Sequence, residues 1–311
     1  MKKFHKALDE YLALRRRLGF KLIDHRRALP QFIAFLRVQG AEFVTTELAL
    51  IWAQQPRKTT PAHHAKRLSM VRDFARYLSA TDPRTEVPPQ GLLPAQAKRT
   101  QPYIYNNEKI LDLIREASQL QPSEGLRPHT YSTLFGLLAV TGMRVSEVVG
   151  LDRTDVDLKQ GVLTLRQSKF NKTRLIPVHE TTRRKLTAYA RHRHKLIPVP
   201  STDGFFISDR GVRLNPFIVR YTFVRVSRLI GLRKTTDSHG PRLQDFRHTF
   251  AVRTLTNWHR SGIDPEQRLL LLCAYLGHAK VSDTYWYLTA IPELLGALNT
   301  RLEQHLIGGL S

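Results

Sequence analysis

A cluster of prolines between residues 82 and 102 divides this sequence into two parts. The stretch contains Pro83, Pro88, Pro89, Gly91, Pro94 and Pro102. Proline lacks a backbone N–H and clashes with the preceding helical turn, so a long helix or central strand cannot run through here. A chain of 311 residues is also long enough for two domains. The sequence therefore predicts a domain at 1–82, a linker at 83–102 and a second domain at 103–311.

The first domain is predicted to be helical because its apolar residues recur at helical spacing. Helices are expected at 3–17, at about 30–38, after a cap at Thr45 or Thr46, and from Thr60 onwards. Thr60 precedes Pro61, and a threonine cap followed by proline in the first turn is a signal for a helix start.

The second domain is predicted to combine helices with one β-hairpin, formed by residues 161–166 and 174–178. Asn106 or Asn107 caps its first helix, and a short helix contains Ser146 and Glu147. Further helices are expected at about 129–140, 181–196, 215–230 and 243–259, from Asp264 to Leu276, and from about Pro292. The predicted fold class is mainly α with a small β-hairpin or sheet (α+β).

The charge of the chain indicates a polyanionic partner. Lysine and arginine outnumber aspartate and glutamate by 49 to 26, giving a formal charge of +23. Such an excess destabilises a compact chain by self-repulsion unless an anion neutralises it. Nucleic acid is the first candidate because bound phosphates release counterions. A ribosomal or other basic housekeeping protein is the alternative at this point.

Positive charge is concentrated around the start of the fourth predicted helix. Charged helix faces are commonly just solvated, but these charges are nearly all of one sign, which favours phosphate contact. The predicted DNA-contacting residues here are Arg57, Lys58, His63, His64, Lys66 and Arg67.

Cysteine content and hydropathy indicate a cytoplasmic protein. Cys273 is the single cysteine and lies in an apolar run, so it is interpreted as a small buried hydrophobe. One thiol can build neither a disulfide framework nor a thiolate zinc site. The N-terminal residues lack an apolar signal core, and no apolar run approaches the length of a membrane span.

Four separate segments contain the residues that indicate a chemistry: 141–147, 168–169, 244–250 and 276–287. In chain order these segments supply Arg144, Lys169, Gln244, Arg247, His278 and Tyr287. Gln244 lies three residues before Arg247. This ordered set resembles the catalytic set of the tyrosine recombinases, the phage-integrase family, in its mobile-element form. The resemblance is close from about Tyr131 to Leu288 and looser elsewhere. It implies a helical core-binding domain followed by a catalytic domain, the two clamping DNA.

The resemblance implies a role for each of these residues. Arg144 and Arg247 bind the nonbridging oxygens of a phosphodiester. A planar guanidinium is suited to this role because it donates two parallel hydrogen bonds. Tyr287 is the nucleophile, while Tyr285 and Trp286 are interpreted as packing residues. A phenol has a pKa of ~10, so nearby cations must assist its loss of a proton. The product is a 3′-phosphotyrosyl DNA that religates without ATP, metal or other cofactor.

The remaining roles also follow from the resemblance. Lys169, in the hairpin connection, is the general acid for the leaving 5′ oxygen. His278 binds a phosphate oxygen, and Glu147 orients the active-site side chains. Lys172 and Arg174, which follow Lys169, are predicted DNA contacts.

Gln244 departs from the family pattern, which has histidine or sometimes lysine at this position. Glutamine donates a hydrogen bond but cannot carry a proton at neutral pH. A histidine following the second arginine, here His248, is also common in the family and looks structural there. His248 or His239 could supply the missing imidazole, and the spacing does not decide between them.

The partners implied are a duplex DNA recombination site and further copies of this chain. The family pattern is a monomer or dimer when free and a tetramer on synapsed DNA, in a bacterial cytoplasm and associated with the nucleoid. Two other functions stay open from the sequence: a DNA-binding relic or regulator, which Gln244 would explain, and a nicking-closing enzyme of the type IB topoisomerase kind. The separate helical domain and short length favour a recombinase.

Overall fold

The computed structural model describes residues 2–20, 22–57, 59–95, 101–166, 173–278 and 280–289. The chain divides into two compact units, residues 1–100 and 101–311. Three lysines with predicted roles lie outside the described residues: Lys58, Lys169 and Lys172. The helix expected from about Pro292 also lies outside them. None of the described helices is both long and apolar enough to span a membrane.

The described residues of the first unit form four helices, α1 (Lys2–Arg17), α2 (Ile23–Val38), α3 (Thr46–Gln54) and α4 (Pro61–Leu78). They pack around a core that includes Leu29, Phe32, Trp52 and Phe74. Thr45 and Thr60 cap α3 and α4, accepting hydrogen bonds from the backbone N–H groups of Leu48 and His63 at 3.2 and 3.3 Å.

The predicted start of α2 near residue 30 is wrong. The helix begins at Ile23 and contains Pro30 in its interior. Proline removes one backbone hydrogen bond from a helix. The buried side chains on both sides of it, including Leu29, Phe32 and Ile33, keep the helix packed through that position.

The first part of the proline-rich stretch packs against the helices of the first unit. Arg72 of α4 donates hydrogen bonds to the carbonyl groups of Pro88 and Pro89 at 2.6 and 2.8 Å. The N–H of Glu86 binds the carbonyl of Val44 at 2.8 Å. These residues therefore belong structurally with the first unit.

The part of the second unit that the structure describes is mostly helical, with one small antiparallel sheet. Its helices are α5 (Asn107–Ala117), α6 (Arg127–Thr141), α7 (Val145–Gly150), α8 (Glu180–Leu196), α9 (Pro216–Leu229), α10 (Gln244–Arg260), α11 (Leu269–Leu276) and α12 (Ser282–Thr289). Strands β1 (Val156–Asp157), β2 (Val162–Leu165) and β3 (Arg174–Pro177) are paired in the order β1-β2-β3. The predicted hairpin is confirmed as β2 and β3, with Leu163 opposite Ile176.

Two apolar clusters position the elements of the second unit. The larger one contains Phe135 of α6, Phe223 of α9 and Phe246 of α10. The smaller one joins α10, α11 and α12 through residues that include Leu255, Leu272 and Tyr287. Helix α10 therefore contributes to both clusters.

The predicted start of α11 at Asp264 is also wrong. Residues 265–268 form turns and the helix begins at Leu269. The carboxylate of Asp264 accepts a hydrogen bond from the N–H of Glu266 at 3.0 Å. The aspartate-proline signal therefore marks a local turn rather than the helix itself.

Candidate active site

The turn at the end of α11 connects two of the predicted catalytic arginines. Gly277 ends the helix in the left-handed conformation with φ 65°, a conformation that glycine adopts without steric cost. Arg247 Nη2 donates to the carbonyl of Leu276 at 2.5 Å, and Arg144 Nη2 donates to the carbonyl of Gly277 at 3.3 Å. Two guanidinium groups separated by about a hundred residues thus bind adjacent carbonyl groups.

Arg247 is fully buried in α10, with 1% of its surface exposed. Its Nη1 donates to the carbonyl of Gly142 at 3.0 Å, so it links the turn after α6 to the turn after α11. Burial, and next the charge of Arg144, lower the pKa of Arg247 to about 10. At neutral pH the group therefore stays charged, as an electrostatic role requires.

Glu147 binds two arginines at once. Its Oε1 accepts from Arg144 Nη1 at 2.7 Å, and its Oε2 accepts from Arg174 Nη2 at 2.9 Å. Oε2 also accepts the backbone N–H of Arg144 at 2.8 Å. Burial opposes ionisation of Glu147, but the Arg144 N–H and the charges of both arginines lower its pKa overall. This carboxylate therefore contacts both the backbone and the guanidinium of Arg144, and its role as a supporting residue stays a prediction.

His278 follows the Gly277 turn and packs against the predicted nucleophile. Its Nδ1 lies 2.7 Å from Thr284 Oγ1, and its ring stacks on Tyr287 with 6.2 Å between centroids. Burial first, and then the charges of Arg247 and Arg144, lower the pKa of His278 to about 4. The imidazole is therefore neutral at pH 7, and a neutral imidazole can donate one hydrogen bond to a phosphate oxygen.

Tyr287 lies on α12 and is 2% exposed. Its hydroxyl oxygen lies 2.9 Å from Nδ1 of His248, the residue after Arg247 on α10. By contrast, the neighbouring Tyr285 is 48% exposed and therefore does not pack in the core, contrary to the prediction. Of the two histidines that could supply an imidazole, His248 reaches the site, whereas His239 is exposed beside Ser238.

Gln244 is exposed at the first turn of α10 and lines a cavity of about 460 Å³ together with Arg144. The other polar residues lining this cavity are Ser146, Arg220, Arg233 and Arg242. The last three arginines were not singled out from the sequence. They come from α9 and from the loop before α10, and no spacing signal connects them.

Two of the predicted DNA contacts occupy other positions. Arg67 is 9% exposed, lies 3.6 Å from the centre of the Trp52 ring and donates to the Trp52 carbonyl at 3.0 Å, so its placement on the charged face is wrong. The Arg174 side chain is 11% exposed and pairs with Glu147, so it is held against the candidate site, and its assignment as a DNA contact stays a prediction.

The other described DNA contacts stay predictions. Arg57 and His63 are exposed. Lys66 pairs with Asp24 at 2.5 Å with both side chains more than half exposed, so DNA phosphates can compete for it. His64 Nε2 lies 2.9 Å from the carbonyl of Pro56.

Comparison with known proteins identifies the family to which this chain belongs. The model of the phage integrase family matches residues 106–293. A candidate integrase/recombinase of Sinorhizobium fredii (strain NBRC 101917 / NGR234), y4rB, is 46% identical over 308 residues, covering 98% of each chain. The tyrosine recombinase XerC of Bacillus subtilis (strain 168) is 29% identical over 319 residues, covering 98% of this chain and 97% of its own. The chain belongs to the phage integrase family, the tyrosine recombinases.

Solved structures agree with this fold. The Tn1549 transposon integrase in complex with a circular intermediate DNA has a TM-score of 0.62 at 15% identity, covering 90% of this chain and 94% of its own. A lambda integrase tetramer bound to a Holliday junction has a TM-score of 0.58 at 19% identity, covering 91% and 76%. At these identities the similarity describes the fold alone.

Proposed function

We propose that this chain is a site-specific DNA recombinase of the mobile-element type, which cuts and rejoins DNA through a tyrosine-phosphate bond. The observation that supports this most is the convergence at one turn: the carbonyls of Leu276 and Gly277 bind Arg247 and Arg144, and His278 and Tyr287 follow. A cluster of fixed positive charge beside a phenol matches the needs of attack on a phosphodiester, because negative charge develops on the nonbridging oxygens.

The proposed reaction begins with attack of Tyr287 Oη on phosphorus. The bond from phosphorus to the 5′ oxygen breaks, and the DNA remains joined to the enzyme through a 3′-phosphotyrosyl bond. Lys169 gives a proton to the leaving oxygen. The number of phosphoester bonds is unchanged, so religation to a new 5′ hydroxyl needs no ATP.

The proposed partners are duplex DNA and further copies of this chain. One fold neighbour is a XerH recombinase bound to its difH substrate after cleavage, and another is the lambda integrase tetramer on a Holliday junction. The net charge of +23 supports phosphate binding. The proposed site of action is the nucleoid in the bacterial cytoplasm. The N-terminal unit would serve as the core-binding domain of the clamp.

A nicked suicide substrate tests the proposal, because loss of the short 5′ fragment traps the covalent adduct. Wild type and Tyr285→Phe are expected to form the adduct with or without EDTA, and Tyr287→Phe is expected to form none while binding DNA normally. An adduct on Tyr287→Phe, or a wild type that requires metal, would contradict the mechanism. Strand exchange between two duplexes distinguishes recombination from simple nicking and closing.

A further inference from the structure

The side chain of His248, on α10, contacts the hydroxyl oxygen of Tyr287, the predicted nucleophile. Its Nδ1 lies 2.9 Å from the hydroxyl oxygen of Tyr287 although the two residues are 39 positions apart. The two rings are inclined at 55° with 5.5 Å between centroids. This distance lies within the range in which a general base can take a proton directly.

The position of His248 follows from the geometry of α10. Successive residues of a helix point about 100° apart, so adjacent residues face different neighbours. Arg247 points at the two turns that supply the carbonyls of Gly142 and Leu276. His248 points instead at α12, where its ring also lies against Trp286 with 5.8 Å between centroids. Helix α10 therefore places the guanidinium of Arg247 and the imidazole of His248 in the same candidate active site.

A tyrosine nucleophile requires a proton acceptor, and the other candidates in the described residues suit this role poorly. Gln244 has no basic atom. His278 has its Nδ1 beside Thr284 Oγ1, and the burial and positive charge around it disfavour taking up a proton. The guanidinium groups of Arg144 and Arg247 are already protonated at neutral pH.

We propose that His248 is a catalytic residue that accepts the proton of Tyr287 as the covalent bond to DNA forms. This inference rests on the proposed strand-transfer function. Neutral His248 carries its proton on Nε2, and Nδ1 accepts the hydrogen bond from the tyrosine hydroxyl. As Oη bonds to phosphorus, the O–H bond breaks and its proton passes to Nδ1, while the phosphorus to 5′ oxygen bond breaks and that oxygen is protonated separately. On religation the imidazolium returns the proton to the departing Tyr287 oxygen.

The proposal also explains how this chain could act with glutamine at position 244. The imidazole of His248 approaches the nucleophile from the next turn of the same helix, four residues after Gln244. Gln244 is then needed only as a hydrogen-bond donor to DNA.

The test distinguishes two proton transfers. One removes the proton from the Tyr287 hydroxyl, and the other delivers a proton to the leaving 5′ oxygen. His248→Asn retains a polar atom near the Nδ1 position without a basic nitrogen, and His248→Ala removes the contact. Each is assayed in the full chain on a nicked substrate and on the same substrate with sulfur at the bridging 5′ position. A leaving thiolate needs no proton, so sulfur replaces the general acid and not the base. His239→Asn is the matched control because His239 is exposed and lies outside the site.

The expected result is a fall in single-turnover cleavage by both His248 variants of about 10²–10³-fold, with DNA affinity and melting temperature close to wild type for His248→Asn. Sulfur should leave this defect in place, whereas it should restore cleavage by Lys169→Ala. A wild-type rate for His248→Asn, its rescue by sulfur, or a loss in His239→Asn instead would overturn the assignment. A wild type that forms no adduct on either substrate would overturn the proposed function together with it.

Discussion

Arg174 and Glu147 form a partly buried ion pair in which Nη2 lies 2.9 Å from Oε2, the same oxygen that binds the backbone N–H of Arg144. The two side chains are 11% and 9% exposed. Arg174 is the first residue of β3, the strand that follows the segment containing Lys169. One carboxylate therefore connects that strand to a predicted phosphate-binding arginine.

Glu147→Gln is expected to destabilise the second unit and to lower cleavage. The amide cannot neutralise two guanidinium groups, and removing one partner of a buried ion pair typically costs ~3–5 kcal/mol. Urea unfolding measures the stability change, and single-turnover cleavage measures the effect on Arg144. Equal stability and equal cleavage rate in the variant would show that the carboxylate does not orient the site.

The stabilising effect of Glu147 is expected to depend on pH in one direction. Its pKa in the folded state is below the ordinary value of 4.5, despite its burial, because of the Arg144 N–H and the charges of both arginines. Such a group stabilises the fold fully above pH 4.5, and this stabilisation is lost as the pH falls through the lower folded-state value. Unfolding free energies of wild type and Glu147→Gln, measured at pH 7, 5 and 3, should therefore converge towards the acid end. A constant difference would assign the effect to packing.

Arg174→Met is expected to reduce cleavage more than DNA binding, because the side chain is only 11% exposed and binds Glu147. Its Nε and Nη1 have no hydrogen-bond partner among the described residues, and Nη1 lies against the Gly277 turn. Arg166→Met is the control: it breaks another ion pair of the hairpin, with Asp155 at 2.6 Å, in which the arginine is 63% exposed. We expect about tenfold slower cleavage for Arg174→Met, the equivalent of ~1.4 kcal/mol in the barrier, and little change for Arg166→Met. If Arg174→Met weakens affinity as much as cleavage, the residue contacts DNA directly.

Motif order predicted Arg144, Arg247, His278 and Tyr287 as site residues, and the fold brings these four side chains together around the turn at Gly277. The two contacts that refine this picture join residues far apart in sequence. Arg174 meets Glu147 across 27 residues and His248 meets Tyr287 across 39. In each pair the two residues belong to different elements, so the spacing of residues within a single helix or strand could not predict the contact. The sequence could name His248 as a candidate, but only packing of α10 on α12 distinguishes it from His239.

In the first unit, contacts within one helical turn were predicted from the sequence, whereas contacts between helices were not. Cap signals correctly predicted the starts of α3 and α4 because a cap is a contact within one turn. The interior Pro30 and the buried Arg67 were misassigned, since both depend on tertiary packing. An arginine can leave a charged face when its stem and guanidinium cover an indole ring.

Arg67 and Arg57 should therefore respond differently to truncation. Arg67→Ala removes a guanidinium stacked on Trp52 and its hydrogen bond to the Trp52 carbonyl, so a loss of about 2 kcal/mol in unfolding free energy is expected. Arg57→Ala should leave stability unchanged and reduce the salt dependence of DNA binding by about one phosphate contact. Thermal melts and binding titrations at several salt concentrations provide both measurements. A stable Arg67→Ala with a reduced salt slope would restore the original assignment of Arg67.

Gln244→His tests how this site works without the usual histidine at that position. Gln244 is exposed and shares its cavity with Arg144, so a histidine there would face the same cavity without disturbing the core. General acid–base catalysis is typically worth about 10²–10⁴-fold. Because His248 is proposed to serve the nucleophile already, we expect Gln244→His to raise single-turnover cleavage by no more than about tenfold, while Gln244→Ala, lacking the amide donor, should lower it by a similar factor. DNA affinity should change little in either variant. A wild type that cleaves no suicide substrate beside a Gln244→His variant that does would show that activity was lost through this position, because the fold, both arginines and the tyrosine are the same in the two proteins.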